Sequence, residues 1–254
     1  MQTYKNIVVT TANSPYFMSL LTLINGIYLF ADNCVEQIYV YDLGLDSIEI
    51  QTLNRLKNVT VLDYPNEIRK KHSKFMEPKS YVYKLFCLEN SKIYGENVFW
   101  LDAGATPINS MCHIFEKINN DEIFLVVDTH LTKTYTHSKC IEIMKASANE
   151  LNDNMLSAGI IGFKSNGKYC QMIEDAFNYS MIEGCVDGDQ ENHRHDQSVL
   201  SILSTRYNCP KQDIEIYGYW TDMDRNYETA IKQGSVIFVH RKGYENIKNL
   251  IYEN

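Results

Sequence analysis

The sequence predicts an α/β fold: a mostly parallel, twisted sheet flanked by helices. Three observations carry that expectation. Between Asn6 and Asp63, apolar runs alternate with helical stretches in a strand–helix–strand–helix–strand rhythm, which demands parallel strands joined by right-handed crossovers. Farther on, the apolar run Val98-Phe99-Trp100-Leu101 stops at a carboxylate and two tiny residues, Asp102-Ala103-Gly104. A buried strand that delivers an acid at its carboxyl end is how open α/β sheets build ligand and metal sites. Finally, 254 residues at 44% hydrophobic and 12% aromatic content are ample for a sizeable core.

The elements follow in order. Asn6-Ile7-Val8-Val9-Thr10-Thr11 is a buried first strand, and Ala12-Asn13 turns the chain. Ser14 before Pro15 marks a helix start, with the hydroxyl as N-cap and the ring at the first helical position. That helix is expected to run to about Phe30. Gln37–Tyr41 is the second strand, ending at Asp42-Leu43-Gly44. Ser47 is expected to cap a helix through about Leu56, and Val59–Asp63 is the third strand. The basic, polar segment Pro65–Lys79 reads as a long connection. Tyr81–Tyr94 carries Val82, Leu85, Phe86, Leu88 and Ile93 at helical spacing, and the Asp102 strand follows. Ile123–Val127 is another strand, and His130–His137 a polar, Thr-rich loop. Ser157–Phe163 places Gly159 and Gly162 among apolar residues, the pattern of a strand that another backbone approaches closely. Lys168–Gly184 reads as a helix with Gly184 as terminator. A charged loop, Asp187–His195, leads into a helix over Asp196–Thr205, and Val236–His240 is a late strand ending on a ligand-type side chain.

Composition removes some classes. Only 5 prolines and 12 glycines argue against disordered or fibrous character. A net charge of −8 is wrong for a general nucleic-acid binder, which needs a basic face. The seven cysteines are scattered, odd in number and free of any C-x-x-C pair, so they are expected to be reduced thiols in a cytoplasmic protein. Strand-like residues follow Met1–Lys5 at once, so no signal peptide is expected. The apolar stretch Met18–Phe30 is broken by Ser19, Thr22, Asn25 and Gly26 and reads as too short and too polar to span a bilayer. A peripheral contact with the inner face of the cell membrane stays open. With no repeat, low-complexity tract or clear linker, one domain over residues 1–254 is expected.

Asp102 and His240 both end expected strands. Hard cations such as Mg²⁺ or Mn²⁺ take carboxylate oxygens, and Mn²⁺ also accepts imidazole, so the two suit one metal. A strand-end aspartate also caps helices, and a histidine can sit satisfied at a sheet edge. Arg241-Lys242-Gly243 shifts the balance, because a cationic pair beside a glycine turn suits phosphate. Asp187-Gly188-Asp189 and Asp222-Met223-Asp224 share the D-x-D spacing but read as solvated loops. His193, His195 and Asp196 lack a zinc spacing such as H-E-x-x-H.

Four blocks, in this order, resemble GT-A (Rossmann-like) glycosyltransferases, most of all the glycogenin-like and bacterial lipopolysaccharide galactosyltransferase group. Ile7–Asn13 resembles the first strand and turn, Tyr83-Lys84 through Asp102-Ala103-Gly104 the helix and strand leading to the D-x-D metal motif. Ser157-Ala158-Gly159 resembles the N-x-G strand and Asp196-Gln197 the Asp-Gln pair, while His240-Arg241-Lys242-Gly243 resembles the closing H-x-x-G turn. The resemblance implies a nucleotide-binding half over about residues 1–105 and an acceptor-binding half over about 106–254. Thr10, Thr11, Ala12 and Asn13 would line the base and ribose, Asp42 would meet the ribose or base edge, and Tyr16 would stack. Lys84, Asp102, Ala103, Gly104, Ser157, Arg241, Lys242 and Gly243 would hold the rest of the donor. Asp102 and His240 would ligate Mn²⁺ or Mg²⁺, and the catalytic pair Asp196 and Gln197 would sit beside the anomeric carbon: in an inverting enzyme Asp196 would be the general base on the acceptor hydroxyl, and in a retaining one it would orient the sugar while Gln197 contacts the reacting face. For the acceptor, Thr129–His137 and Tyr217–Trp220 are rich in aromatic and hydroxyl groups.

Two departures stand out: Gly104 replaces the second acid of D-x-D, and Ser157 the usual Asn. The first shifts weight toward the cations Lys84, Arg241 and Lys242. The expected function is transfer of a sugar from a nucleotide-sugar, in particular a UDP-sugar, to a hydroxyl of a bacterial surface glycan or glycolipid such as capsule or lipooligosaccharide. A nucleotidyltransferase is the nearest alternative, but Thr10–Ser14 holds no Gly, Lys or Arg for a phosphate loop. A noncatalytic nucleotide- or glycan-binding protein on a degenerate transferase fold is the other.

Overall fold

The computed structural model describes residues 3–220 and 227–242. The first half runs β1 (Tyr4–Ala12), α1 (Phe17–Ala31), β2 (Gln37–Asp42), α2 (Ser47–Leu53), β3 (Val59–Leu62), α3 (Asn66–Lys71), α4 (Val82–Ser91), β4 (Gly95–Leu101) and β5 (Ala105–Pro107). The second runs α5 (Cys112–Asp121), β6 (Ile123–Leu131), α6 (Ser138–Met144), α7 (Ala148–Asn152), β7 (Asn154–Lys164), α8 (Cys170–Ser180) and α9 (Asp196–Arg206). It closes with β8 (Lys211–Gln212), α10 (Ile214–Tyr217), β9 (Tyr219–Trp220), α11 (Tyr227–Lys232) and β10 (Ile237–Val239).

Strand alternation explains how the central sheet is covered. Along β4, Val98 and Trp100 face one side and pack with α4, α8 and α9, while Phe99 and Leu101 face the other and pack with α1 and α5. Both faces are buried, so the strands read as continuous apolar runs rather than alternating ones. The sheet has seven strands in the order β3-β2-β1-β4-β7-β6-β8. Pairing is parallel from β3 through β4 and between β6 and β8, while β7 runs antiparallel to both β4 and β6. A small second sheet, β5-β10-β9, lies apart from it. The late strand at Val236–His240 belongs there, antiparallel to β5 and not in the main sheet.

Several local expectations need correction. Ser14 opens a single 3-10 turn, not the cap of α1; its hydroxyl donates to Glu49 (2.6 Å) instead. Asp46, not Ser47, caps α2, in a capping box with Glu49. The connection at 65–79 contains α3, and β6 extends through His130 to Leu131. The reading of all cysteines as thiols is also overturned: Cys34 and Cys112, 78 residues apart, form a disulfide between the end of α1 and the start of α5. No sequence spacing marks such a pair. Finally, Ser14–Ala31 is long and apolar enough to cross a membrane by length and composition, beyond what Met18–Phe30 suggests. Its Leu20, Leu23, Ile24 and Ile27 are buried against the sheet.

Candidate functional site

β4 ends in the middle of the sheet, and Asp102 follows it. The Asp102 amide donates to the carbonyl of Gly159 on β7 (2.9 Å), which fixes the turn. A Cβ on Gly159 would stand 2.9 Å from Asp102 Oδ2, so the missing side chain makes room for the carboxylate. Trp100 Nε1 donates to Asp102 Oδ1 at 2.7 Å.

The opposing charge comes from α4. Tyr81, with φ +58°, turns the chain into this helix, which is sunk into the core from Val82 to Leu88 and takes Lys84 with it. Lys84 Nζ lies 3.0 Å from Asp102 Oδ1 and 3.0 Å from Asp196 Oδ2, and 5.5 Å from the centre of the Trp100 ring. Burial alone would push its pKa down; the Asp102 and Asp196 carboxylates outweigh that and raise it. Asp196 is the first residue of α9, where the helix dipole favours a negative charge. Burial pushes its pKa up against the pull of Lys84. An ammonium thus bridges a strand end and a helix start.

The second acid of a D-x-D pair has no room here. A Cβ at Gly104 would stand 2.5 Å from the Arg241 Cα and 2.7 Å from its carbonyl oxygen. The cause is the β5–β10 pairing, Val239 opposite Ala105, which delivers the following residues onto the turn. The Gly104 carbonyl accepts from the amides of His240 (2.9 Å) and Arg241 (2.8 Å). Arg241 has φ +56°, and its carbonyl accepts from Ser19 Oγ (2.8 Å). Lys242 Nζ lies 4.6 Å from the centre of the Tyr16 ring. The backbones that carry Asp102 and His240 therefore meet at one crossing.

Among the described residues, no three His, Cys, Asp or Glu side chains gather as a metal cage. What the crossing offers a cation is a pair. Asp102 has Oδ2 free of the Trp100 and Lys84 contacts, which both fall on Oδ1. His240 is buried, bonds Thr106 Oγ1 through Nε2 (2.9 Å), and leaves Nδ1 without a partner. Burial lowers its pKa to about 4 and keeps the ring neutral, the form that ligates. This donor set fits an ion that draws its remaining ligands from a diphosphate and water.

The expected nucleoside residues lie at the ends of β1 and β2. Thr10 and Ala12 are buried, and Thr11 donates to the Tyr41 carbonyl (2.8 Å) and meets the Tyr64 hydroxyl (2.9 Å). Buried oxygens Thr10 Oγ1 and Asn13 Oδ1 have no partner. Asp42 closes its own loop, accepting from the amides of Gly44 (2.8 Å) and Leu45 (2.7 Å). Ala103 and Ser157 are buried beside the Asp102 turn and within β7. Gly243 and Asp222-Met223-Asp224 lie outside the described residues. Of the alternative metal groups, Asp187 pairs with Lys74 (2.6 Å). His193 and His195 reach the carbonyls of Cys185 (3.1 Å) and Val186 (2.9 Å), pinning the loop before α9.

One buried charged group near Gln197 escaped the sequence reading. Asp128 on β6 is buried, and its carboxylate meets His130, Arg194 and Gln197. An isolated aspartate in an apolar run, with histidine two residues on, is the signal that marks it, since both then share one strand face.

No family model matches the chain, and no curated protein matches it in sequence. Solved structures do. The chain is similar to the bifunctional glycosyltransferase WbbM in its apo form, with TM-score 0.64 and 14% identity over 94% of this chain, and it spans 46% of WbbM, less than half that protein's length. It is also similar to mouse xyloside xylosyltransferase 1, with TM-score 0.53 and 11% identity, covering 94% of this chain and 97% of that one. At these identities the likeness concerns the fold, which is that of GT-A glycosyltransferases.

Proposed function

We propose that this chain is a glycosyltransferase that moves a sugar from a UDP-sugar to a hydroxyl of a glycan or glycolipid. The observation that carries the reading is the buried Lys84 bridge between Asp102, at the end of a central strand, and Asp196, at the start of a helix. In an open α/β sheet that is the crevice where ligands bind. The surface-glycan acceptor, capsule or lipooligosaccharide, rests on the resemblance to bacterial lipopolysaccharide transferases.

The chemistry follows from charge. As the glycosidic bond breaks, the nucleoside diphosphate gains negative charge that must be stabilised. Arg241, whose backbone is held at the crossing by the Gly104 carbonyl and Ser19, and Lys242, over the Tyr16 ring, are exposed cations suited to the phosphates. Asp102 and His240 would hold Mn²⁺ or Mg²⁺, which when bound supplies Lewis-acid stabilisation of the leaving phosphate. Lys84 offsets part of the negative charge of Asp102 and Asp196, so the anionic donor meets one net negative charge instead of two. Asp196 and Gln197 take the place beside the anomeric carbon, Asp196 orienting the sugar through its hydroxyls. The unpartnered oxygens of Thr10 and Asn13 suit the nucleoside.

Calorimetric titration with UDP, GDP and CMP, in Mn²⁺ and again in EDTA, tests the reading. UDP binding accompanied by release of UDP from a UDP-sugar supports it. Nucleotide bound with no hydrolysis or transfer favours a degenerate binding protein, and no nucleotide bound rejects the donor site.

A further inference from the structure

All seven cysteines lie among the described residues, and exposure sorts them. Cys87, Cys140, Cys185 and Cys209 are buried free thiols, and Cys170 is half-buried and free. Cys34 and Cys112, which form the disulfide, are both half-buried. Buried thiols are inert, so exchange with small thiols concentrates where sulfur meets solvent. Two features at the crosslink suit it to both oxidation states. Each sulfur has an acceptor in reach: the Ala31 carbonyl lies 3.4 Å from Cys34 Sγ, and Asn33 Oδ1 lies 3.1 Å from Cys112 Sγ. A thiol is a weak donor, so both reduced sulfurs have a partner in place. A surface hollow of about 460 Å³, lined in part by Phe30, Asp32, Asn33, Asn109 and Ser110, also opens on the flanking residues and admits a small thiol.

The helix before Cys34 is the backing of the donor crossing. Near its start, Ser19 holds the Arg241 carbonyl (2.8 Å). At its middle, Gly26 lies against β5, where a Cβ would stand 2.6 Å from Thr106 Cγ2 and 2.9 Å from the Pro107 carbonyl oxygen. Thr106 in turn bonds His240 Nε2 (2.9 Å). The crosslink anchors the far end of this contact, where the Met111 amide reaches the Phe30 carbonyl at a long 3.4 Å. We propose that Cys34 and Cys112 are a thiol–disulfide switch: the oxidised pair clamps α1 onto β5 and holds the His240 turn for the donor, and the reduced pair releases it. The effect on the donor rests on the transferase reading above. Reduction by a small thiol such as glutathione takes two exchanges. One glutathione thiolate attacks a sulfur of the pair; the S–S bond breaks, a mixed disulfide forms, and the other cysteine leaves as a thiolate. A second glutathione thiolate attacks the glutathione sulfur of the mixed disulfide and frees the remaining cysteine. Two electrons pass to the pair, the protons lost by the two glutathiones end on the two cysteines, and the glutathiones leave as their disulfide.

The test equilibrates the full chain in a series of glutathione and glutathione disulfide mixtures. Free thiols are counted by mass after alkylation in denaturant, and UDP affinity with Mn²⁺ is read by calorimetry. We expect five free thiols at the oxidised end and seven at the reduced end. The reduced chain should bind UDP at least about fivefold more weakly and melt at least about 4 °C lower. Cys34→Ser with Cys112→Ser should bind UDP like the reduced chain in every mixture, and Cys170→Ser should follow the wild type. Five thiols throughout, seven throughout, or UDP affinities at the two ends equal within about twofold overturns the switch and leaves the donor site standing. Failure of the oxidised chain to bind UDP overturns the transferase reading and takes the coupling with it.

Discussion

Asp102 and Asp196 share one lysine and differ in nearly everything else. Asp102 follows a strand, leaves 45% of its side chain exposed and puts both contacts on one oxygen. Asp196 starts a helix and is 6% exposed. Equal distance to Lys84 therefore does not mean equal work. The open carboxylate has an oxygen left for the ion; the buried one secures the ammonium at the start of α9 and, in the proposed function, turns to the sugar. Burying an ion pair costs desolvation that good geometry only just returns, so the bridge contributes position more than stability.

The strongest way to break this comparison is to remove what the two acids share. Lys84→Met leaves Asp196 buried beside a second carboxylate and should cost about 3–5 kcal/mol in urea unfolding. Asp102→Asn should cost much less than Asp196→Leu in the same measurement, because water already solvates the Asp102 side; equal losses would erase the contrast. Asp196→Asn keeps the shape but loses the charge that orients the sugar, and should cut turnover by about a hundredfold while UDP binding holds. Near-normal turnover would reject its place at the sugar.

Two glycines give a finer contrast. Gly104→Ala drives a Cβ into the Arg241 backbone, at 2.5 Å, so the 240–242 segment must move. Gly159→Ala meets the Asp102 carboxylate at 2.9 Å, and a side chain yields more easily than backbone. We expect about 1–3 kcal/mol for the first and less for the second in thermal melts, with weaker UDP binding in both. The remaining effect is acid sensitivity away from the bridge, small for each step in pH near neutrality. Burial lowers the His193 pKa to about 4, below its unfolded value near 6.5. The unfolded chain then binds the extra proton first, so this stability is complete above pH 6.5 and falls by about 1.4 kcal/mol per unit as pH drops toward 4. His193→Asn should flatten that slope.

What the residues announced and what they hid divide along local and non-local lines. β1 to β4, α1 and the start of α9 were legible because hydrophobic period and turn residues are local signals. Only the family resemblance put Asp102, Lys84 and Asp196 around one donor; the ion-pair bridge among them was not legible, since a lysine inside an apolar helix gives no sign of its partners. Gly104 was legible as a missing acid, but the Arg241 backbone that fills its place follows from the β5–β10 pairing across more than a hundred residues. The Asp128–His130 pair was hidden because β6 runs on through a stretch whose polarity reads as a loop. The Cys34–Cys112 disulfide joins two helix ends that no spacing connects.

A crystal structure of the chain grown with UDP and Mn²⁺ tests the central claim most directly. The account predicts the diphosphate at the Asp102–Gly104 turn, within hydrogen-bond reach of Arg241 or Lys242 and with the ion on Asp102 and His240. UDP bound elsewhere, with that turn and the Lys84 bridge untouched, would contradict it.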